Sequence, residues 1–293
     1  MKRKKITWTI VFLLLFIGLC AGGYSLYDRG RPAPIPMKQT LYEGVTYRRI
    51  VQVVPRPMIV HVITIDRTKS KPKFLITPPD ANDEYPLKAR TTSQFLTEFN
   101  LQIAINGDGF SPWWSHSPLD YYPHVGDPVV PLGFAASMGG IYAYGQTDMP
   151  GVEPTLYISR QNYPSFNIRP GKVWFAISGD RMLVTKGKVE DGLDNSELDP
   201  RTAIGLNQNG RYLYLMIVDG RQPYYSEGAT FSELAALMKK QGAYVAMALD
   251  GGGSSTMVIQ GKDGEPVILN SPIDNYFPGR ERPVANHFGV YIR

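Results

Sequence analysis

The chain has 293 residues, a formal net charge of +5 and one cysteine, Cys20. Four of the positive charges lie in residues 2–5, so residues 6–293 carry only +1, which argues against a nucleic-acid-binding protein. A lone cysteine also excludes an intrachain disulfide, so the fold must be stabilised by its hydrophobic core.

The N-terminal segment has the pattern of a membrane anchor. A basic tail, residues 1–5, precedes an uncharged, largely apolar run, residues 6–27, which exceeds the ~20 residues that a membrane-spanning helix needs. Because basic flanks stay in the cytoplasm, this pattern predicts an uncleaved signal anchor with the rest of the chain outside. A cleaved signal peptide is the alternative, although no cleavage site stands out. A proline-rich linker, residues 28–40, and a single domain, residues 41–293, are predicted to follow.

The first half of the domain alternates apolar and polar residues, which predicts β-strands. Runs at 45–54, 58–65 and 73–76 predict an antiparallel opening sheet. A short helix over 92–99 and a buried strand over 101–105 are predicted next. The aromatic residues between Phe110 and Tyr144 lack periodicity, which predicts long loops whose rings either stack on a sugar or fill a small core.

The second half predicts a strand–helix–strand unit. Thr230 and Glu233 fit a capping box at the start of the helix, and Gly242 fits its end. Strands over 213–218 and 243–249 flank this helix and are predicted to be parallel. Both strands end in Asp-Gly, so Asp219 and Asp250 should lie at one edge of the sheet, where ligands bind in open α/β sheets. The predicted fold class is α/β (α+β mixed), with a central mixed β-sheet flanked by helices.

Asp250 opens the most informative motif, the sequence DGGGSS. Consecutive glycine amides can form an anion-binding nest, and a carboxylate beside it suits acid–base chemistry on a negatively charged substrate. The alternative is a glycine-rich hairpin whose aspartate caps the turn. Asp108, Asp219 and Asp250 each follow a predicted strand beside a glycine. Any two of them could supply a pair of carboxyl groups for acid–base chemistry.

Several sequence blocks, in this order along the chain, resemble the phosphodiester glycosidase family. The resemblance runs from about Gly44 to Arg293 and includes the blocks 104–110 (AINGDGF), 199–205, 210–223, 250–255 and 281–290. The first block departs from the family's AINGGFF because Asp108 stands where a glycine is usual. The resemblance implies hydrolysis of a glycosyl-1-phosphodiester, or a related glycosidic bond, in envelope or secreted polysaccharide.

Asp250 and Asp219 are the first choices for the catalytic carboxyl groups, with Asp108 as the third candidate. Arginine suits phosphate oxygens because its planar guanidinium binds two of them at once. The candidates for substrate binding are Asn106, Gly107, Arg201, Arg221, Gly251, Gly252, Gly253, Ser254, Ser255 and Arg282. Surface salt bridges for the arginines and a structural role for Asn106 stay open as alternatives.

The predicted partners are a carbohydrate or glycosyl-phosphodiester substrate and the membrane, not nucleic acid. Ser254 is not expected to be a nucleophile, because its surroundings lack the last glycine of the G-x-S-x-G elbow. No cofactor or metal is predicted, since the histidines show no zinc-site spacing. A non-catalytic glycan-binding or exopolysaccharide-assembly protein is the second hypothesis. A metal-dependent phosphodiesterase is a weaker third.

Overall fold

The computed structural model describes residues 2–32, 34–80, 85–117, 119–145 and 153–292. The domain is a mixed α/β fold that consists mostly of β-sheet with few helices. The largest sheet has eight strands in the spatial order β1 (Met37–Tyr42), β2 (Val45–Gln52), β3 (Met58–Asp66), β19 (Tyr212–Val218), β18 (Arg201–Leu206), β20 (Val245–Ala248), β16 (Arg181–Thr185) and β17 (Lys188–Val189).

Two five-stranded sheets cover this large sheet. The second sheet has the order β22 (Pro266–Ile268), β21 (Met257–Gln260), β6 (Ile103–Asn106), β25 (His287–Tyr291) and β4 (Lys73–Ile76). The third sheet has the order β12 (Gly140–Tyr144), β11 (Phe134–Ser137), β15 (Phe175–Ser178), β13 (Thr155–Ile158) and β14 (Pro164–Phe166). Neighbouring strands within all three sheets are antiparallel wherever the structure describes them.

Smaller sheets form the surface around one end of the domain. A three-stranded sheet joins β5 (Leu87–Lys88), β10 (Pro128–Pro131) and β7 (Phe110–Ser111). Two hairpins complete the set, one of β8 (Trp114–Ser117) with β9 (Asp120–Tyr122) and one of β23 (Ile273–Asp274) with β24 (Phe277–Pro278).

The core lies where the three larger sheets face one another. Ile63 of β3, Ile105 of β6 and Ile177 of β15 are fully buried in one cluster. The opposite face of the eight-stranded sheet packs against a helix through a second cluster, which includes Leu234 and Met238. The eight-stranded sheet therefore buries both faces, as the nearly continuous apolar sequences of its central strands require.

The described helices are α1 (Lys2–Gly30), α2 (Arg67–Ser70), α3 (Thr92–Glu98) and α4 (Phe231–Gln241), with a 3₁₀ helix at Gly252–Ser254. The predicted ends of α3 and α4 are confirmed. Thr91 and Thr230 are the N-caps of α3 and α4, each within a complete capping box. Gly242 ends α4 with φ = 103°, a left-handed conformation that glycine adopts without strain.

The predicted parallel strand–helix–strand unit is wrong in one respect. β19 and β20 do point the same way, but they are not neighbours, because β18 lies between them and is antiparallel to both. The reason is local: β18 and β19 are joined by a short connection and pair as a hairpin. β20 then adds to the free edge of β18. Both Asp-Gly sequences still end at the same side of the sheet, but the central sheet is antiparallel rather than mixed.

Two other expectations are corrected. The run 73–76 does form a strand, but β4 pairs with β25 rather than with the opening strands. The aromatic region, residues 110–144, contains the short strands β7 to β12 instead of long loops. The linker over residues 28–40 stays a prediction.

The N-terminal apolar run is helical. Within the part of the chain that the structure describes, however, no helix is both long and apolar enough to cross a membrane, and the expected transmembrane helix is not supported.

Candidate active site

A pocket of about 480 Å³ opens at one end of the sheets, where the aspartate-bearing turns meet. It lies beyond the ends of β6, β15, β19 and β20 and beside the start of β18. Its charged lining residues are the acids Asp108, Glu153, Asp180, Asp199 and Asp250 and the arginines Arg201, Arg221 and Arg282. Its apolar lining comes from Phe110, Trp113, Leu132, Phe231 and Leu249. Carboxyl and guanidinium groups of one site therefore share a partly apolar enclosure.

Asp108 is a buried carboxyl group, with only 5% of its surface exposed. Its Oδ2 accepts a hydrogen bond from the Gly133 amide at 2.7 Å, and its Oδ1 accepts one from the Gly109 amide at 2.8 Å. Burial, together with the nearby charges of Asp250 and Glu153, raises the pKa of Asp108 to about 7. This carboxyl group can therefore hold a proton near neutral pH.

Glu153 stands beside Asp108. A side chain at Gly133 would come within 2.6 Å of a Glu153 carboxylate oxygen and within 2.7 Å of Asp108 Oδ2. The two acids therefore face the same small gap, and only glycine fits at position 133 beside them. Like charges this close cannot both ionise freely, which favours a proton on one of them.

Asp250 follows β20 and is held in place by its own turn. Burial raises the pKa of Asp250, while a hydrogen bond to Ser254 and the positive charge of Arg282 oppose this shift. The ionised form of Asp250 is thus favoured by a side-chain hydroxyl and a guanidinium, whereas the described hydrogen bonds that favour the ionised form of Asp108 come from backbone amides.

Each glycine of the Asp250 turn faces a different arginine. A side chain on Gly251 would lie 3.7 Å from Arg201 Nη1, and one on Gly252 would lie 3.0 Å from Arg221 Nη2. A side chain on Gly253 would collide with the guanidinium of Arg282. The absence of side chains on Gly252 and Gly253 thus lets Arg221 and Arg282 approach the turn closely, a role for these glycines that the anion-nest prediction did not include. At Gly251 the tight contact would instead be with the Pro200 carbonyl, at 2.9 Å.

The predicted nest is formed only in part. The Gly252 amide donates to the Pro200 carbonyl at 2.8 Å, so it is not free to bind a ligand. Ser254 and Ser255 are buried, and Ser255 Oγ lies 3.1 Å from Thr202 Oγ1. The positive charge at this turn therefore comes chiefly from arginine side chains.

Each arginine is fixed by protein groups. The Arg221 guanidinium donates to Asp199 at 2.8 Å, and the Arg282 guanidinium donates to Asp274 at 2.8 Å. Arg201 donates to the Ala229 carbonyl at 3.0 Å and stacks over the Phe231 ring at 3.8 Å. These contacts hold the side chains in place at the pocket wall.

Asn106 and Gly107 have structural contacts, which favours the alternative left open for Asn106. Asn106 is fully buried, and its Nδ2 donates to the Asp250 carbonyl at 2.8 Å. Its Oδ1 accepts from Thr202 Oγ1 at 2.8 Å. The Gly107 carbonyl accepts from the Asp250 amide at 2.9 Å. These two residues therefore join the second sheet to the eight-stranded sheet beneath the pocket, and neither lines the pocket.

Asp219 does not line the described pocket either. Its Oδ2 lies 3.0 Å from His61 Nε2, and its Oδ1 accepts from the Ser271 amide at 2.8 Å and from Asn270 at 3.2 Å. Its side chain is fully buried. Asp219 thus occupies a closed polar cluster below the loop that carries Arg221.

Asp219→Asn is expected to lower the free energy of unfolding by about 1–3 kcal/mol, because a buried hydrogen-bonded network loses an ideal acceptor. Turnover per folded molecule should change by no more than a few-fold. Urea unfolding and substrate turnover, measured alongside the exposed control Asp191→Asn, separate the two effects. Complete loss of turnover in a stable variant would restore Asp219 as a catalytic residue.

Gly253→Ala is expected to weaken the binding of inorganic phosphate by roughly tenfold, because the new methyl group displaces Arg282. Isothermal titration calorimetry measures the change in Kd. Gly171→Ala is a matched control, since a methyl group there meets nothing within 4 Å. Unchanged affinity in Gly253→Ala would remove Arg282 from the binding site.

Sequence reasoning missed three acids of the pocket as site residues, namely Glu153, Asp180 and Asp199. Asp180 follows β15 directly after a glycine, which is the strand-end signal that pointed to the other aspartates. Asp199 stands two residues before Arg201 in a recognised block. Glu153 has no such signal, since only the packing of the third sheet brings it to Asp108.

The histidines take no part in the described pocket. His287 is fully buried, stacks on Phe95 at 4.6 Å and has a pKa lowered to about 3 by burial. Among the described residues, no group of three or more His, Cys, Asp or Glu side chains is arranged to hold a metal ion. The metal-dependent hypothesis gains no support from this arrangement.

A concave pocket with apolar lining and a few converging charged groups is the usual form of a small-molecule site, and glycoside hydrolysis uses a pair of carboxyl groups in such a pocket. A family model described as phosphodiester glycosidase matches residues 99–291. The chain belongs to the phosphodiester glycosidase family.

Solved structures share the fold at low sequence identity. The zebrafish N-acetylglucosamine-1-phosphodiester alpha-N-acetylglucosaminidase catalytic domain, auto-inhibited by its pro-peptide, is 19% identical with a TM-score of 0.59, over 90% of this chain and 86% of that one. A hypothetical protein from Synechocystis is 15% identical with a TM-score of 0.56, over 89% of this chain and 64% of that one. An exported-protein candidate from Burkholderia pseudomallei is 15% identical with a TM-score of 0.54, over 80% and 74%. No curated protein matches this sequence.

Proposed function

We propose that this protein hydrolyses a glycosyl-1-phosphodiester, releasing a free sugar and a phosphomonoester. The observation that carries the proposal is the convergence of Arg201, Arg221 and Arg282 on the glycine turn that follows Asp250. Three guanidinium groups beside a carboxylate suit a substrate with a phosphate next to an anomeric carbon. A simple glycoside would offer these arginines no anion beyond the protein carboxylates, such as Asp199 and Asp274, with which they already pair.

In this proposal Asp108, which is buried, and Asp250, which is partly buried, have different roles. Asp250, whose ionised form is supported by Ser254 and Arg282, acts as the base or nucleophile at the anomeric carbon. Asp108, whose pKa of about 7 lets it keep a proton, acts as the general acid for the leaving oxygen. Arg282 and Arg221 bind the phosphate as it leaves and stabilise its developing charge.

The sugar is expected to occupy the part of the pocket lined by apolar groups. Trp113 and Phe110 line it together with Leu132. Aromatic rings can pack against the C–H faces of a pyranose, while the acids lie within reach of its ring oxygens and hydroxyls. We also propose that the substrate is part of an envelope or secreted polysaccharide.

The test is a panel of glycosyl-1-phosphodiesters that begins with N-acetylglucosamine 1-phosphate methyl ester, with free sugar followed by NMR. Release of sugar from the phosphodiester, with little release from the matching methyl glycoside, supports the proposal. No release from any member by a folded protein that nevertheless binds the phosphodiester would favour a glycan-binding protein instead.

A further inference from the structure

The loop that carries Arg221 is held by a residue from outside the sheets. This loop, residues 219–227, follows β19, and we call it the Arg221 loop. Arg31, which lies between α1 and β1, reaches it. The Arg31 guanidinium donates a hydrogen bond to Gln222 Oε1 and lies 3.6 Å from the centre of the Tyr225 ring. A part of the chain that precedes the first strand therefore contacts the residue next to a pocket arginine.

The same guanidinium also bonds to a second loop. Arg31 Nη2 donates to Ser271 Oγ at 2.8 Å, and Ser271 Oγ donates to Gln222 Oε1 at 2.9 Å. The side-chain amide of Gln222 donates in turn to the Ser271 carbonyl at 3.0 Å. Gln222 and Ser271 are buried, where hydrogen bonds are stronger than in water. Arg31, Gln222 and Ser271 thus form a closed triangle of hydrogen bonds, which we call the Arg31 clasp.

Ser271 gives the Arg31 clasp a fixed anchor. The Ser271 amide donates to Asp219 Oδ1 at 2.8 Å, inside the closed polar cluster below the Arg221 loop. Three residues further along the chain, Asp274 of β23 holds the Arg282 guanidinium at 2.8 Å. The Arg31 clasp therefore connects the loop of one pocket arginine to the segment that holds another.

Arg221 needs such support because its backbone is strained. Its φ is 57°, in the left-handed region that arginine rarely adopts. A residue persists in this region only when its surroundings hold it there. The Arg221 amide donates to the Glu227 carbonyl at 3.2 Å, and the Gln222 amide donates to the Ser226 carbonyl at 3.1 Å. If this loop relaxed, the Arg221 guanidinium would move away from Asp199 and from the pocket.

We propose that Arg31 is a positioning residue for Arg221, and that the Arg31 clasp keeps the Arg221 guanidinium where the phosphate binds. The inference rests on the proposed function, which gives Arg221 a phosphate to bind. Arg31 does not line the described pocket, so it acts on the substrate only through the loop. Three of the five residues after Arg31 are prolines, which restrict the backbone and lower the entropy lost when Arg31 docks.

The first experiment measures the affinity of the full chain for inorganic phosphate by isothermal titration calorimetry. Arg31→Ala should raise the Kd roughly tenfold, because the released loop no longer keeps Arg221 at the phosphate. In an Arg221→Ala background the same replacement should change the Kd by less than about twofold, since the residue through which Arg31 acts is gone. Additive losses in the double variant would overturn the proposal, because Arg31 would then act independently of Arg221.

Arg29→Ala is the matched control. Arg29 belongs to the same segment and lies 5.1 Å from the centre of the Tyr224 ring, which is half exposed and outside the Arg31 clasp. Its replacement should leave the phosphate Kd within about twofold of the wild type. A loss equal to that of Arg31→Ala would assign the effect to positive charge in this segment and overturn the proposal. Urea unfolding checks that both variants are folded, as expected because Gln222 and Ser271 remain bonded to each other.

Hydrogen exchange followed by mass spectrometry tests the Arg31 clasp without any ligand. The amides of Arg221 and Gln222 are bonded within the loop, so their exchange reports how often the loop opens. Arg31→Ala should speed exchange in peptides that cover residues 219–227 by roughly tenfold or more, and Arg29→Ala should not. Faster exchange with an unchanged phosphate Kd in Arg31→Ala would overturn the positioning role.

The two experiments separate this proposal from the proposed function. A wild type that neither binds phosphate nor hydrolyses a glycosyl-1-phosphodiester would refute the proposed function. Hydrogen exchange then decides the Arg31 clasp by itself: faster exchange in Arg31→Ala supports the clasp, and unchanged exchange overturns it.

Discussion

Asp250→Asn is expected to reduce kcat on a glycosyl-1-phosphodiester by roughly 10²–10⁴-fold, because it removes the carboxylate that attacks or activates water at the anomeric carbon. The fold should persist, since the Asp250 backbone retains its bonds to Asn106 and Gly107. The measurement is sugar release by NMR with protein at high concentration, so that residual turnover is visible.

Asp180→Asn is the matched control for Asp250→Asn. Asp180 also lines the pocket and is an aspartate near a strand end, but it is exposed and pairs with Arg181 at 3.0 Å. Its replacement should cost far less activity than that of Asp250. Comparable losses in both variants, or turnover that survives Asp250→Asn, would remove Asp250 from its central role.

The activity should decline as the pH rises through about 7. The pKa of Asp108 is raised to about 7, so its carboxyl group is mostly neutral at pH 6 and mostly ionised at pH 8. A general acid must carry the proton that it donates, so kcat/KM falls on the alkaline side. The measurement is the pH profile of kcat/KM between pH 5 and 9, with and without Asp108→Asn, which should remove this alkaline limb.

Glu153→Gln provides a second test of the titration of Asp108. The negative charge of Glu153 contributes to the raised pKa of Asp108, so its removal should move the alkaline limb to lower pH. A limb that stays in place in both Glu153→Gln and Asp108→Asn would assign the titration to another group.

The effect of Asp108→Asn should also depend on the leaving group. A phosphomonoester leaves more readily than an alkoxide and needs less protonation, since Arg221 and Arg282 can stabilise its charge. Asp108→Asn should therefore slow a methyl glycoside, if it is cleaved at all, more than a glycosyl phosphodiester.

Local signals in the sequence predicted much of the fold. Capping boxes at Thr91 and Thr230 and the glycine at 242 mark the helix ends, because they satisfy backbone groups within a few residues. β6, which ends at Asn106, and β20, which ends at Ala248, are visible as short apolar runs shortly before glycines. These features depend on near neighbours, which a sequence displays directly.

Sheet order depends on distant partners and was harder to predict. The position of β18 between β19 and β20 follows from which free edge each strand finds, and this is not encoded in the apolar pattern of either. Dependence on distant partners also explains why the roles of the site aspartates were hard to predict. Asp219 and Asp250 have nearly the same local sequence, yet His61 from β3 closes a polar cluster around Asp219 while arginines surround the Asp250 turn.

The arginine side of the site was recognised, but its organisation was not. Arg201, Arg221 and Arg282 were chosen from sequence blocks far apart in the chain, and all three line the pocket. Only the three-dimensional structure reveals that each arginine packs on a different glycine of residues 251–253. The sequence suggested an anion site made of amides, whereas side chains supply most of its charge.

The hydrogen bonds that Asn106 and Gly107 make to the Asp250 backbone tie the distance between Asp108 and Asp250 to the packing of the interior. Asp108 is borne by one sheet and Asp250 by another, so their separation is fixed by how closely those sheets approach. Carboxyl groups about 5–5.5 Å apart give retention of configuration, and those about 6.5–9.5 Å apart give inversion. An enlarged side chain deep between the sheets, far from any ligand, could therefore alter the stereochemical course of the reaction while the molecule stays folded.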